Sequence, residues 1–300
     1  MFQKILCPID FSPGSRLALR AAVRLASAAN AELALAHVWD LPVFPSTDDG
    51  PGAPAIVRLL EEEQERALAA VVKEASELGA RRVSSRLLEG APWDQIVEAA
   101  RAEPACDLIV MGSHGHTGLS RFLLGSVAEK VVRHAPCSVL VARVRGASAP
   151  FRHVLCPLDF SNGSRPAAEL AARLAAPGGA GIVLLHVIEL PVAVAGEALP
   201  RDFLEDLDRR SARLLEEWAA HVRAHTAAPV ITRTRLGSPG AQALAVLDED
   251  PGFDLVVVGS HGRTSLPRAL LGSVAEKLVR HAPCSVLVAR AGRSPGVAAT

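Results

Sequence analysis

An excess of either charge is missing from this chain: Lys+Arg and Asp+Glu each number 32 among 300 residues. The chain as a whole therefore carries no basic footprint for nucleic acid. Also missing is any apolar run near the roughly 18 residues that a membrane-crossing helix needs. The opening MFQKILCPID has no basic-then-apolar layout of a signal peptide and reads as a strand. A cytoplasmic protein is expected, with neither nucleic acid nor membrane as partner. Cysteine chemistry is sparse too. None of the five cysteines lies in a Cys-x-x-Cys pair, and all sit in or beside apolar runs. Buried thiols in a reducing compartment are the plain reading, and no Cys/His cluster has metal-ligand spacing.

What is present is a globular composition, 49% hydrophobic and 21% charged, at a length of about two domains. The chain also repeats itself. KILCPIDFSPGSR (Lys4 to Arg16) returns as HVLCPLDFSNGSR (His153 to Arg165), and Gly112 to Arg143 returns as Gly259 to Arg290 with 27 of 32 letters identical. The offsets are 149 and 147 residues, too long for a solenoid period. A duplicated domain is expected, with units at 1–145 and 150–291 joined by the short VRGASAPF.

Each unit alternates strand and helix signals. In the first, strands are predicted near Lys4–Ile9, Glu32–Trp39, Arg82–Leu88, Asp107–Met111 and Ser138–Ala142. Helices are predicted near Ser15–Ala29, Ala55–Leu78, Trp93–Ala102 and Ser126–His134. The second unit repeats this, with strands near His153–Leu158, Gly181–Ile188, Val230–Leu236, Leu255–Val258 and Ser285–Ala289. Short β-branched runs such as DLIVMG and DLVVVG, each fed by a helix, imply parallel strands buried on both faces. The expected fold class is α/β: two tandem doubly wound domains, each a five-stranded parallel sheet in the order 3-2-1-4-5 with helices on both faces.

Both units carry G-x2-G-x9-G-S: Gly112, Gly115, Gly125 and Ser126, then Gly259, Gly262, Gly272 and Ser273. The pattern begins where a buried strand ends and finishes where a helix begins. Ligands of open α/β sheets bind at the carboxyl ends of the strands beside the switch point. Glycine there lets backbone approach a ligand and permits positive φ, while a helix N-terminus attracts an anion. Together these suit a phosphate chain. A competing reading is purely structural: Ser126 with Glu129, and Ser273 with Glu276, fit a capping box. Asp10 and Asp159 end the first strand of each unit and face these loops. Each could accept a hydrogen bond from ribose or base, approach a phosphate-bound Mg²⁺, or simply N-cap the next helix.

These residues make the chain similar to the universal stress protein family in its tandem form. The resemblance rests on CPIDFSPGSR and CPLDFSNGSR, on both glycine loops and on the two closing HAPCSVLVAR strands. It implies a flavodoxin-like or Rossmann-like fold with ATP, and Mg through its phosphates, in each half. Gly112 and Gly115 would lie along ribose and phosphates. Gly125, Ser126 and Val127 would hold the phosphates, Asp10 would face the nucleotide, and Val38 would meet the adenine through its backbone. Asp159, Val187, Gly259, Gly262, Gly272, Ser273 and Val274 match these places in the second half. The loops differ at His116/Arg263, Gly118/Ser265 and Ser120/Pro267.

Other chemistries lack their signatures. Ser follows the last glycine of each loop, so the lysine of a Walker A motif is missing, and the first strand–helix turn has no G-x-G-x-x-G. His114 and His261 sit beside the glycines as loop residues, and His37 and His186 read as packed histidines. Arg121 and Arg268 either neutralise phosphate or pair on a solvated face. No positive clamp or positioned water for fast phosphoryl transfer is visible, so binding is favoured over catalysis. A slow ATPase and an interaction module with vestigial pockets are the alternatives. The apolar CSVLVAR strands, last in each sheet, predict that Val139–Val141 meets Val286–Val288 across a pseudo-twofold axis. A homodimer of the whole chain is a further expectation.

Overall fold

A computed structural model describes residues 2–39, 53–102, 105–115, 124–146, 151–175, 181–190, 200–262 and 271–291. The first half contains β1 (Lys4–Pro8), α1 (Pro13–Ala29), β2 (Glu32–Trp39), α2 (Ala53–Glu77), β3 (Val83–Glu89), α3 (Pro92–Arg101), β4 (Leu108–Gly112), α4 (Ser126–His134) and β5 (Ser138–Ala142). The second contains β6 (His153–Leu158), α5 (Ser164–Leu174), β7 (Gly181–Ile188), α6 (Arg201–Arg223), β8 (Val230–Leu236), α7 (Pro239–Glu249), β9 (Leu255–Gly259), α8 (Ser273–His281) and β10 (Ser285–Ala289). The middle loop residues Arg121, Arg268, His116, Arg263, Gly118, Ser265, Ser120 and Pro267 lie outside the described residues.

Local sequence explains the elements. The β4 and β5 strands LIVMG and SVLVA are almost wholly apolar because helices cover both faces of the sheet. Ser12 caps α1, its side chain accepting from Ser15 N, and Pro13 sets the first helical φ. At the other end Asn30 adopts the left-handed conformation (φ 51°) that stops the helix. Alternation then sorts the core. Ile5 and Cys7 belong to the core layer under α1, α2, α5 and α6, whereas Leu6, Ile109 and Val139 belong to the one under α3, α4, α7 and α8.

The strand order is β3-β2-β1-β4-β5-β10-β9-β6-β7-β8. Each half is thus a parallel sheet in the order 3-2-1-4-5, a Rossmann-like arrangement. β10 runs antiparallel to β5 with Val286 opposite Val141, Leu287 opposite Leu140 and Val288 opposite Val139. All six side chains are essentially inaccessible. Burial of this kind stabilises by roughly 1.5–3 kcal/mol per large aliphatic side chain. Four charges straddle the same seam: Arg280 Nη2 lies 2.8 Å from Glu129 and 3.1 Å from Glu276, and Arg133 lies 3.4 Å from Glu129 and 3.9 Å from Glu276.

The joint between halves clings to the second half. Ser285 N donates to Arg145 O at 2.9 Å, and Gly146 has φ +90° with Asp254 O where a Cβ would stand. All five cysteines are buried and free. Burial pushes the Cys106 thiol up to about 11 and those of Cys137 and Cys284 up to about 12, which removes thiolate chemistry.

Candidate functional site

The site grows from the carboxyl end of β1. Ile9 N donates to Ala36 O, which ties the emerging chain to β2 before it turns. The turn demands Phe11 at φ 62°, and Phe160 repeats this at φ 63°. Left-handed backbone at a bulky residue costs about 1–3 kcal/mol and is held by its surroundings. His37 supplies part of that hold: Nδ1 lies 2.7 Å from Ile9 O, Nε2 3.1 Å from Gln64 Oε1, and its ring packs at a tilt against Phe11 with centroids 4.5 Å apart. His186 does the same at Leu158 O (2.8 Å) and Phe160 (4.2 Å). Both histidines are packed supports of the turn.

The turn aims Asp10 at the glycine loop. Asp10 Oδ1 accepts from Ser12 N (3.0 Å) and Ser12 Oγ (2.6 Å). Oδ2 faces Gly115, where a Cβ would come within 2.5 Å of it. Asp159 makes the equivalent bonds to Ser161, and its Oδ2 would stand 2.6 Å from a Cβ on Gly262. The helix caps are Ser12 and Gly163, so neither aspartate is an N-cap.

The glycines prove necessary for a reason other than positive φ. Gly112, Gly115, Gly125 and their counterparts are absent from the left-handed residues. Instead they are places where two pieces of protein touch. A Cβ on Gly112 would stand 2.8 Å from the Gly14 carbonyl group, and one on Gly14 would stand 2.3 Å from His114 O. Gly259, Gly163 and His261 repeat the contact at 2.4 and 2.3 Å. Real Cβ atoms do not approach so closely, so the start of the first helix locks onto the end of the fourth strand only through glycine. Gly14 and Gly163 escaped the sequence reading. Their signal was the duplicated S-x-G-S after each aspartate.

Each loop closes on itself: Gly125 N donates to Ser113 O and Gly272 N to Ser260 O, both at 2.8 Å. Gly125 and Gly272 are the N-caps of α4 and α8, with ψ 147° and 146° and no side-chain cap hydrogen bond. Ser126 and Ser273 are therefore the first helical residues and cannot form the capping box expected of them. Glu129 and Glu276 turn to the arginines of the seam instead. Among the described residues no side chain caps the N–H groups at the start of either helix, an arrangement that favours an anion.

In the first half these parts surround a cavity of about 300 Å³. All seven residues singled out there, Asp10, Val38, Gly112, Gly115, Gly125, Ser126 and Val127, line it. Ala36, Pro92, Ile96 and Met111 form its apolar end. An apolar end with a helix N-terminus on the same cavity suits a ligand with an apolar and an anionic part. In the second half, Val187 is the penultimate residue of β7, opposite Arg235, and Gly259, Gly262, Gly272, Ser273 and Val274 hold the same places around Asp159.

His114 joins the site from the loop, with Nδ1 2.9 Å from Ser113 Oγ. Burial first, and the Arg143 guanidinium second, hold its imidazole below the ordinary value of 6.5. No group of three His, Cys, Asp or Glu among the described residues is arranged for a metal ion.

This geometry, twice in one chain, matches one family. The model of the universal stress protein family fits residues 1–143 and again 150–290. The chain belongs to the universal stress protein family. A universal stress protein of Methanocaldococcus jannaschii is 41% identical over 143 residues, 48% of this chain and 83% of that protein. One of Mycolicibacterium smegmatis is 29% identical over 297 residues, 95% of this chain and 96% of that protein. Among solved structures, a universal stress protein from Archaeoglobus fulgidus shares the fold at TM-score 0.69 and 24% identity, covering 96% of this chain and 98% of that one. No helix among the described residues of this universal stress protein is long and apolar enough to cross a membrane.

Proposed function

We propose that each half of this universal stress protein, at 1–145 and 150–291, binds ATP as a regulatory or stabilising ligand in a cytoplasmic stress response. The supporting observation is that the N-terminus of α4, which has no side-chain cap hydrogen bond, lines the same cavity as Asp10 and Val38. The start of α8 repeats it beside Asp159. The phosphates take the helix N–H groups at Ser126 and Val127, or at Ser273 and Val274. The base takes the apolar end beside Val38 or Val187. Mg²⁺ rides on the phosphates, with Asp10 or Asp159 as the nearby carboxylate. The halves work as one body in solution through the β5–β10 seam, and a homodimer of the whole chain is a further arrangement.

Calorimetry with Mg-ATP tests this reading. Two sites per chain are expected, with stabilisation of about 2.7 kcal/mol per occupied site at a hundredfold excess over Kd. Ser126→Asp and Ser273→Asp separate ligand from scaffold. A carboxylate in the first helical turn favours the helix yet repels phosphate. Each variant should melt no lower than the parent and lose one site. Retention of both sites sinks the phosphate assignment. Steady release of ADP would favour the slow-ATPase reading, and failure of the parent to bind nucleotide would favour an interaction module with vestigial pockets.

A further inference from the structure

α4 and α8 have two ends, and only one end of each belongs to its own half. The far end of α4 is held by Arg290, which follows β10 of the second half. Arg290 Nη2 donates to Val132 O and Arg133 O, both at 2.8 Å. The far end of α8 is held by Arg143, which follows β5 of the first half. Arg143 Nη2 donates to Val279 O at 2.6 Å and Arg280 O at 3.3 Å, and its Nη1 to Cys284 O at 3.5 Å. The exchange is anchored in the backbone as well. Arg143 N donates to Ser285 Oγ at 3.0 Å and Arg290 N to Ser138 Oγ at 3.1 Å.

We propose that each nucleotide site is positioned in trans: Arg290 of the second half aims the phosphate-binding helix of the first, and Arg143 of the first half aims that of the second. The inference rests on the nucleotide reading for what the helices bind, and on the seam alone for how they are held. A guanidinium at a helix C-terminus satisfies carbonyls that lack intrahelical partners and complements the negative end of the dipole. Each helix has nine residues, about 13 Å from end to end. In so short a rod, loosening one end changes where the other points. The Arg143 side chain is buried, so its hydrogen bonds are not exchangeable for water. Arg143 and Arg290 are positioning residues; neither is among the groups proposed to touch nucleotide. The quartet of Glu129, Arg133, Glu276 and Arg280 ties the same two helices side by side.

The test uses single-site backgrounds of the full chain. In Ser273→Asp, which leaves the first site, Arg290→Met should weaken Mg-ATP binding roughly two- to thirtyfold, while Arg143→Met, which reaches that site only through its charge on His114, should have the smaller effect. In Ser126→Asp the two arginines should exchange effects. Arg→Lys at each position should recover part of the loss, and serves as the folded variant if Met at either position prevents folding. Hydrogen exchange without nucleotide gives a second readout: Arg290→Met should quicken exchange at Val131–His134 and spare Leu278–His281. Effects confined to an arginine's own half, or equal in both halves in affinity and exchange alike, overturn the proposal. Should the parent chain bind no ATP, the nucleotide reading falls by itself, and the exchange pattern alone decides whether the helices are held in trans.

Discussion

The two halves share a backbone cradle and differ in what surrounds it. Pro13 of the first half is Asn162 in the second, and the helix start moves with it. α1 begins at Pro13 under the Ser12 cap, and the Ser15 hydroxyl bonds back to Ser12 O at 3.0 Å. α5 begins only at Ser164, whose hydroxyl reaches Asp159 Oδ1 at 2.7 Å and accepts from Asp159 N at 3.2 Å. The second carboxylate is thus clamped by a serine that the first half uses elsewhere. Farther along, Trp93 in α3 lies under Lys130, 5.5 Å from Nζ to the ring centroid. Its counterpart is Gly240, where a Cβ would stand 2.9 Å from Lys277 Cδ. One lysine rests on an indole, and the other drops its stem into the space an indole would fill. A duplicated chain keeps the contacts that define the cradle and lets the wall around it drift.

The largest effect should come from breaking the seam that makes the halves comparable. Val141→Asp together with Val288→Asp places two unpaired carboxylates in a dry ladder, each costing on the order of 3–5 kcal/mol. The single melting transition should split or fall sharply. An unchanged transition would mean that the pairing of β5 with β10 does not hold the halves together.

A smaller effect sharpens the contrast between the two aspartates. Gly115→Ala and Gly262→Ala each press a methyl group on a carboxylate oxygen, at a cost of about 1–3 kcal/mol. Because Ser164 also grips Asp159, the second substitution should cost more in a denaturant titration. Equal costs would show that the additional hydroxyl adds no stiffness.

The smallest effect is the pH response of the first loop. Protonating His114 is harder in the folded chain than in the unfolded one, since burial and Arg143 oppose it. The unfolded chain therefore binds the proton first, and this contribution to stability is present above pH 6.5 and lost as pH falls below it. His114→Gln should flatten the stability–pH profile below pH 6.5 relative to the parent. A profile as steep as the parent's would assign the slope to other groups.

Much of this was legible in the letters because it depends on neighbours in the chain. Period-two and period-3.6 patterns placed β2, β5 and α4 at their observed ends. β1 stops at Pro8, one residue short of the reading, and α1 starts two residues early because Pro13 suits a first helical position. The repeat itself declared two similar halves, and the G-x2-G-x9-G-S spacing marked a loop that leaves a strand and returns to a helix.

What the letters could not decide is every contact made across long separations. A glycine reads the same whether it spares room for a ligand, a backbone or a carboxylate. Only the packing of α1 on β4 shows that Gly112 meets Gly14 and that Gly115 meets Asp10. Ser126 with Glu129 spelled a capping box, yet the turn placed the cap one residue earlier and left Glu129 to Arg280. Arg143 and Arg290 looked like the last letters of two strands. The antiparallel meeting of β5 with β10 made each of them the end-piece of the other half's helix, because pairing the strands brings the carboxyl end of each beside the carboxyl end of that helix.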